Sequence, residues 1–138
     1  METWCTYVLF LEESKIYVGC INQQDIDKRI EKHCNGNGAS WTRKYKPLKN
    51  LRPIVFYNLP TREESLEKEN LLTVKYMKAY GIENVRGHVY SEVELPDEKL
   101  LQIRDIMIHD DNRCFKCSQK GHYVLNCPES LPKGNPNY

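Results

Sequence analysis

An arginine and a histidine stand where a helix would ordinarily hide apolar side chains. Ile26, Arg29, Ile30 and His33 fall at i, i+3, i+4 and i+7, one face of an α-helix. Lys28, Glu31 and Lys32 fall on the opposite face. An arginine with no task beyond solvation belongs with Lys28 and Lys32. Arg29 and His33 instead point at, or at the rim of, whatever the isoleucines cover. Ahead of this helix, a β-prone run from Lys15 to Gly19 can present Tyr17 beside that rim. A tyrosine, an arginine and a histidine beside an apolar base form a site that can hold a phosphate.

A second residue out of place is Glu69. Stepping 100° per residue from Leu66, the side chains of Leu66, Tyr76, Met77 and Tyr80 share an apolar arc, and Glu69 falls inside it. Glu63 and Glu67 fall outside, toward Lys78. A carboxylate in an apolar arc is costly unless it meets a cation, either a basic side chain or a metal. A third group lies near the end of the chain. Cys114, Cys117, His122 and Cys127 offer three thiolates and an imidazole, the ligand set of a closed tetrahedral Zn²⁺ site. So short a segment cannot bury a core of its own. Metal binding, worth on the order of 10 kcal/mol or more, can fold it instead. With no open position, such a zinc is structural.

The elements that position these residues follow from local pattern. Thr6–Leu11 and Lys15–Ile21 are β-prone runs joined by the polar Glu12-Glu13-Ser14, which predicts an antiparallel hairpin carrying Tyr7 and Tyr17 on adjacent strands. Asp25, or alternatively Asn22, caps the helix that follows, and Asn35-Gly36-Asn37-Gly38 stops it. Ala39–Leu51 reads as a loop in which Trp41 and Tyr45 alternate with Arg43, Lys44 and Lys46. Basic and aromatic interleaving suits phosphate contacts with a stacking face, and the bland alternative is a solvated loop pinned by a buried Trp. Ile54–Leu59 is a third strand. A long helix starts at the capping box Thr61/Glu64 and stops at Gly81. His88–Leu95 is β-type, and Pro96 to about Ile108 is a helix with Leu100, Ile103 and Met107 on one side, read as packing or as a rigid arm. The domain expectation is therefore 1–95 for the main unit, 96–112 for a helical connector, 113–128 for the metal segment and 129–138 for a disordered tail.

Composition narrows the partners. Of 138 residues, 28% are charged yet the net charge is +1, so no global field attracts a ligand. The distribution is uneven. Eight basic residues between Lys28 and Arg52 meet only Glu31, while acidic residues gather from Glu63 to Glu69 and from Glu92 to Asp111. A basic front with an acidic back suits a polyanion on one side. The start, Met1 to Cys5, is acidic and lacks an apolar stretch, so no secretory signal is expected, and no apolar run suggests a membrane span. Scattered cysteines plus a metal-type cluster point to a reducing intracellular compartment, cytoplasm or nucleus.

Two resemblances extend these readings. The ordered set Tyr7, Tyr17-Val18-Gly19, Arg29-x3-His33, Glu69-Asn70 and Asn84 resembles the GIY-YIG nuclease family over roughly residues 4 to 90. Thr6 stands in place of the first tripeptide's Gly, and His88 stands where a second Gly is expected. Cys114–Cys127 is similar to the retroviral-type CCHC zinc knuckle, with Phe115, Lys116 and Tyr123 as nucleic-acid contacts and Ser118 in place of its usual Gly. The combination looks like the nuclease-plus-knuckle proteins of large DNA viruses and some cellular genomes. The resemblance implies an α+β fold, a three-stranded antiparallel sheet flanked by helices. It implies hydrolysis of phosphodiester bonds in DNA rather than RNA, leaving 5′-phosphate and 3′-hydroxyl ends. Glu69 would bind one Mg²⁺ or Mn²⁺, Arg29 would stabilise phosphoryl charge, and Asn84 would support the site. Tyr7 or Tyr17 would position or deprotonate water, with His33 assisting. Making a phenol a base near neutral pH costs about 4 kcal/mol. A guanidinium at ~4 Å and effective ε near 20 supplies roughly that much. His33 is the cheaper base, and both assignments stay open. The competing readings are a catalytically degenerate binding module and a zinc-dependent adaptor for a protein partner.

Overall fold

The computed structural model describes residues 2–109. Its sheet has four strands in the order β3-β1-β2-β4. Strands β1 (Trp4–Phe10) and β2 (Ile16–Asn22) form the predicted antiparallel hairpin, with Tyr7 opposite Gly19 and Leu9 opposite Tyr17. Strand β3 (Ile54–Leu59) pairs antiparallel with β1. The expected three-stranded antiparallel unit is thus present, and a short strand β4 (Val85–Gly87) joins it in parallel along Ile16–Val18 of β2. The β-type run expected over His88–Leu95 is not a strand; β4 lies just ahead of it and ends at Gly87. Arg86 explains why the chain then leaves the sheet. Its guanidinium donates to the carbonyls of Glu92 at 2.7 Å and Val93 at 3.0 Å, which holds 88–95 as a loop.

Alternation along the hairpin divides the core in two. Cys5, Tyr7, Leu9 and Tyr17 face α1 (Ile26–Cys34) and α2 (Ser40–Lys44), packing with Ile26 and Trp41. Val8, Ile16 and Val18 pack with Leu72 and Met77 of α3 (Arg62–Tyr80) and with Val85. Helix α4 (Asp97–His109) adds Ile103 and Met107 to this second cluster. Of the two readings of this helix, packing is the one its burial supports. The stretch 39–51 is not wholly a loop, since α2 occupies part of it.

Helix α3 begins and ends as its caps predict. Thr61 Oγ1 accepts from Glu64 N–H at 3.1 Å, and Gly81 leaves the helix at φ 103°. Its buried face is rotated from the expected arc. Ser65, Glu69, Leu72, Thr73 and Met77 are buried, whereas Tyr80 is 52% exposed. Hydroxyls cause the rotation. Ser65 Oγ donates to Cys5 O at 2.9 Å and Thr6 Oγ1 donates to Ser65 O at 2.8 Å. Small side chains let the helix approach the β1 backbone, and the bonds fix which side approaches. Asn22 closes the turn before α1 by accepting from Gln24 N–H at 3.2 Å, while Asp25 makes no side-chain cap bond.

The packing of α4 has a measurable consequence. Ile103→Ala empties a fully buried position and is expected to cost 2–5 kcal/mol of unfolding free energy by urea titration, roughly the range for Ile→Ala in cores. A change below about 0.5 kcal/mol would mean that α4 lies off the domain, since surface substitutions stay within that range.

Candidate active site

Tyr7, 1% exposed, projects from the middle of β1 across its partner Gly19. The contact is close enough to dictate the residue. A Cβ at position 19 would lie 2.5 Å from Tyr7 Oη and 2.6 Å from Cζ, so only glycine leaves the phenol its place. Tyr17 stands beside it on β2, ring centroids 6.3 Å apart.

Helix α1 brings the basic pair over these phenols. His33 is fully buried, and its Nε2 lies 2.9 Å from Tyr7 Oη. Its ring centroid is 5.0 Å from that of Tyr17. The other ring nitrogen, Nδ1, lies 2.7 Å from Thr42 Oγ1, which itself donates to Ala39 O at 3.1 Å. With its one hydrogen so engaged, Thr42 accepts from His33 Nδ1–H. Nε2 then carries the lone pair and accepts the Tyr7 hydroxyl proton. The chain Tyr7 to His33 to Thr42 to Ala39 O therefore has one direction throughout. Gly38 makes room for it, since a Cβ there would lie 2.2 Å from His33 Nδ1.

Arg29 is half-buried and presents its guanidinium to both phenols. Burial opposes its charge, but the two phenol oxygens outweigh that and raise its pKa. The guanidinium does not make a tyrosinate in return. Burial pushes the Tyr7 phenol up, Tyr17 adds to this, and Arg29 only partly offsets it. Tyr17 is raised by burial as well, with Arg29 lowering and Glu69 raising it. Arg29 lowers both phenols as expected, but the net shift of each is upward. The cost of burying the phenolate exceeds the gain from the guanidinium. His33 moves down to about 4, through burial and then the charge of Arg29. It is a neutral acceptor.

Glu69 arrives from the other side of the sheet. Strand β4 pairs only with Ile16–Val18, so from Gly19 onward the β2 edge is uncovered. There the carboxylate, on a residue 8% exposed, comes close enough to influence Tyr7, Tyr17 and Cys20. Its Oε1 meets His88 Nδ1 at 3.0 Å. A basic partner was one expectation for Glu69, and His88 supplies it. The donor set suits a hard cation. A lone carboxylate beside a guanidinium and two phenols fits Mg²⁺ or Mn²⁺, which keep most of their ligands as water. Among the described residues, no group of three or more His, Cys, Asp or Glu could hold a metal by itself.

The remaining expected residues separate. Trp41 is 2% exposed and donates from Nε1 to Ile16 O at 3.0 Å, with the Arg86 guanidinium 4.5 Å from its ring centroid. Expected as a nucleic-acid contact, it has no face to offer a base, because both its ring and its N–H are used in the core. Arg43, Lys44 and Lys46 are exposed. Asn84 bonds Tyr80 O at 2.6 Å and Lys15 Nζ at 2.7 Å. Tyr80 lies eleven positions beyond Glu69 on α3, about 16 Å along a helix, so Asn84 supports the end of α3 rather than the carboxylate. Cys114, Cys117, His122 and Cys127, with Phe115, Lys116 and Tyr123, lie outside the described residues. Thr42, Gly38 and Cys20 were not anticipated, and no spacing rule marks them.

A sheet with paired strand tyrosines, an Arg-x3-His helix and a glutamate helix defines a nuclease-type catalytic domain. The GIY-YIG catalytic domain matches residues 3–81, and this chain belongs to that family. The family is one of endonucleases that generally use divalent metals, which implies a nucleic-acid substrate. The chain is 32% identical over 95 residues to a UPF0213 protein of Bacillus velezensis, which covers 67% of this chain and 91% of the relative. A UPF0213 protein of Cupriavidus pinatubonensis is 35% identical over 66 residues, 48% of this chain and 68% of the relative. One from Staphylococcus saprophyticus is 32% identical over 69 residues, 50% and 78% respectively. No solved structure matches. No helix of the described residues is long and apolar enough to cross a membrane.

Two outcomes test the directional chain. Thr42→Val keeps the shape but strands His33 Nδ1–H, and should cost about 1–3 kcal/mol of stability. Nitrogen chemical shifts should show the His33 tautomers mixing, and a single unchanged tautomer would remove Thr42 from this role. The second outcome concerns pH. His33 is depressed from 6.5 to about 4 on folding, so the native state binds fewer protons in that window. Stability should be full above about 6.5 and fall by up to ~1.4 kcal/mol per pH unit down to about 4. In His33→Gln this component should disappear from the difference between the two stability curves.

Proposed function

We propose that this chain is a metal-dependent endonuclease that hydrolyses phosphodiester bonds in DNA and leaves 5′-phosphate and 3′-hydroxyl ends. The observation that carries the reading is the Tyr7–His33 hydrogen bond at 2.9 Å, oriented toward an unprotonated Nε2 and overlooked by Arg29. A phenol whose proton already points at an acceptor need not exist as free tyrosinate. Tyr7 takes a proton from the attacking water as its own passes to His33 Nε2, so no buried phenolate accumulates. Burial raises the Tyr7 phenol and lowers His33, so this transfer is uphill in the resting site. The phosphate's negative charge near His33 favours imidazolium and reduces that cost. Tyr17, at the rim, positions the phosphate or the water, and Arg29 neutralises charge on the phosphoryl oxygens. Glu69 would hold one Mg²⁺ or Mn²⁺, which when bound supplies positive charge for the departing 3′-oxygen.

The targeting elements belong to the same reading. Arg43, Lys44 and Lys46 contact the DNA backbone. Cys114, Cys117, His122 and Cys127 hold one structural Zn²⁺, and Phe115, Lys116 and Tyr123 of that knuckle bind nucleic acid. Binding should then weaken steeply with salt.

The test is cleavage of end-labelled single strands, duplexes, 5′ and 3′ flaps and four-way junctions, with Mg²⁺ or Mn²⁺ and with EDTA. Wild type should cut only with metal. Glu69→Gln and Tyr7→Phe should each lose on the order of 10²-fold or more in rate, while Glu69→Gln still binds DNA. Normal cutting by Glu69→Gln would overturn the metal assignment. Binding without cleavage in the wild type would turn the reading to a binding module.

A further inference from the structure

Glu69 makes a contact that the hydrolytic reading leaves unused. His88 Nδ1 lies 3.0 Å from its Oε1. His88 follows β4 and lies beyond the family match at residues 3–81. It occupies a tight turn. Gly87 N–H donates to Tyr90 O at 2.9 Å and Tyr90 N–H to Gly87 O at 2.8 Å, so His88 and Val89 are the two central residues. His88 sits there at φ 53°, in the left-handed region. Two-residue hairpin turns favour glycine at such a position because a Cβ is disfavoured there. An imidazole retained in a glycine position, with its side chain on a buried carboxylate, is local strain kept at a site.

The turn is held from behind. Arg86 grips Glu92 O and Val93 O, and Lys99 Nζ donates to Val89 O at 2.6 Å. The His88 and Glu69 side chains are 24% and 10% exposed, so the pair is reachable from solvent on the imidazole side.

We infer that His88 is a second protein ligand of the divalent ion held by Glu69, which makes the centre a mixed nitrogen–oxygen site. The inference rests on the metal-dependent reading above. Neighbouring ligand atoms of an octahedral ion bonded at ~2.1 Å lie about 3.0 Å apart. Nδ1 and Oε1 already have that separation. To ligate through Nδ1 the neutral imidazole would give up that position's hydrogen and carry its N–H on Nε2 instead. Two protein ligands leave four positions for water and phosphate oxygens. An imidazole ligand favours Mn²⁺, Co²⁺ and Ni²⁺ over Mg²⁺, which prefers oxygen. The centre therefore discriminates against Mg²⁺.

The experiment uses the full chain with zinc already loaded. Mn²⁺ binding is followed by electron spin echo spectroscopy and calorimetry, and Mg²⁺ by competition, with and without an uncleavable phosphorothioate duplex. His88→Gly restores the residue the turn prefers, so folding is kept. Wild-type Mn²⁺ should show nitrogen modulation from an imidazole. His88→Gly should lose that modulation and bind Mn²⁺ about tenfold or more weakly, with a smaller change for Mg²⁺. Glu69→Gln should weaken both ions. If Glu69→Gln weakens both while His88→Gly changes neither affinity nor modulation, the His88 assignment falls and the metal reading stands. If wild type binds neither ion, with or without duplex, both fall together.

Discussion

Tyr7 has its place only because residue 19 has no side chain. The hairpin register sets Tyr7 opposite Gly19, and the phenol lies where a Cβ would be. Everything at the site depends on that contact. It sends the hydroxyl across β2 instead of along β1, to the point that the fourth residue beyond Arg29 on α1 can reach. A hairpin shifted by one residue would send Tyr7 to the opposite face of the sheet, toward α3, and would break the bond to His33. The register therefore decides whether the site forms, and the turn that closes the hairpin fixes it.

The electrostatics follow from a shortage of water. Two phenols and an imidazole are packed with one guanidinium, and each of the three titrates in the direction that keeps it neutral. Arg29 supports this balance rather than overturning it. Its positive charge lowers His33 and keeps Nε2 an acceptor, while it eases the phenols less than burial opposes them. A resting site of neutral groups with one aligned proton stores little charge of its own. A phosphate bound as proposed would change the balance, since an added negative charge favours both imidazolium and guanidinium. On the function proposed above, substrate binding and proton transfer are parts of one electrostatic event.

Most of the fold was legible because it was written in strong local signals. The hairpin, the capping box at Thr61 and the stop at Gly81 each follow from short-range chemistry, and each is present. The Arg29/His33 pair was legible because its residue types contradicted their helix face. Other features were not legible, for one shared reason. Serine and threonine count as polar in a periodicity, yet Ser65 and Thr73 lie on the buried face of α3 because hydroxyl bonds and small size let the helix sit close. The rotated arc and the burial of Trp41 arise from hydrogen bonds across long sequence separations, and the part of Thr42 from its bonds to His33 and Ala39, none of which a periodicity encodes. Trp41 shows the limit well. Its basic neighbours suggested an exposed stacking face, but its N–H satisfies a strand carbonyl and its ring receives Arg86.

The fourth strand explains how two halves of a site on opposite faces of a sheet can meet. A sheet separates what lies above it from what lies below by about the thickness of its side chains, unless an edge is left open. Strand β4 covers β2 only as far as Val18 and then turns away at Gly87. Had β4 run on as the β-type character of 88–95 suggested, it would have closed the β2 edge beside Gly19 and Cys20. Glu69 would then have been walled off from the phenols. Arg86 prevents this by tying the chain back through Glu92 and Val93, while its own carbonyl-rich surroundings and the face of Trp41 stabilise the buried guanidinium. One buried arginine thus ends a strand, holds the loop that carries His88 and anchors the tryptophan behind the hairpin. The open edge it creates is where the carboxylate and the phenols share one environment.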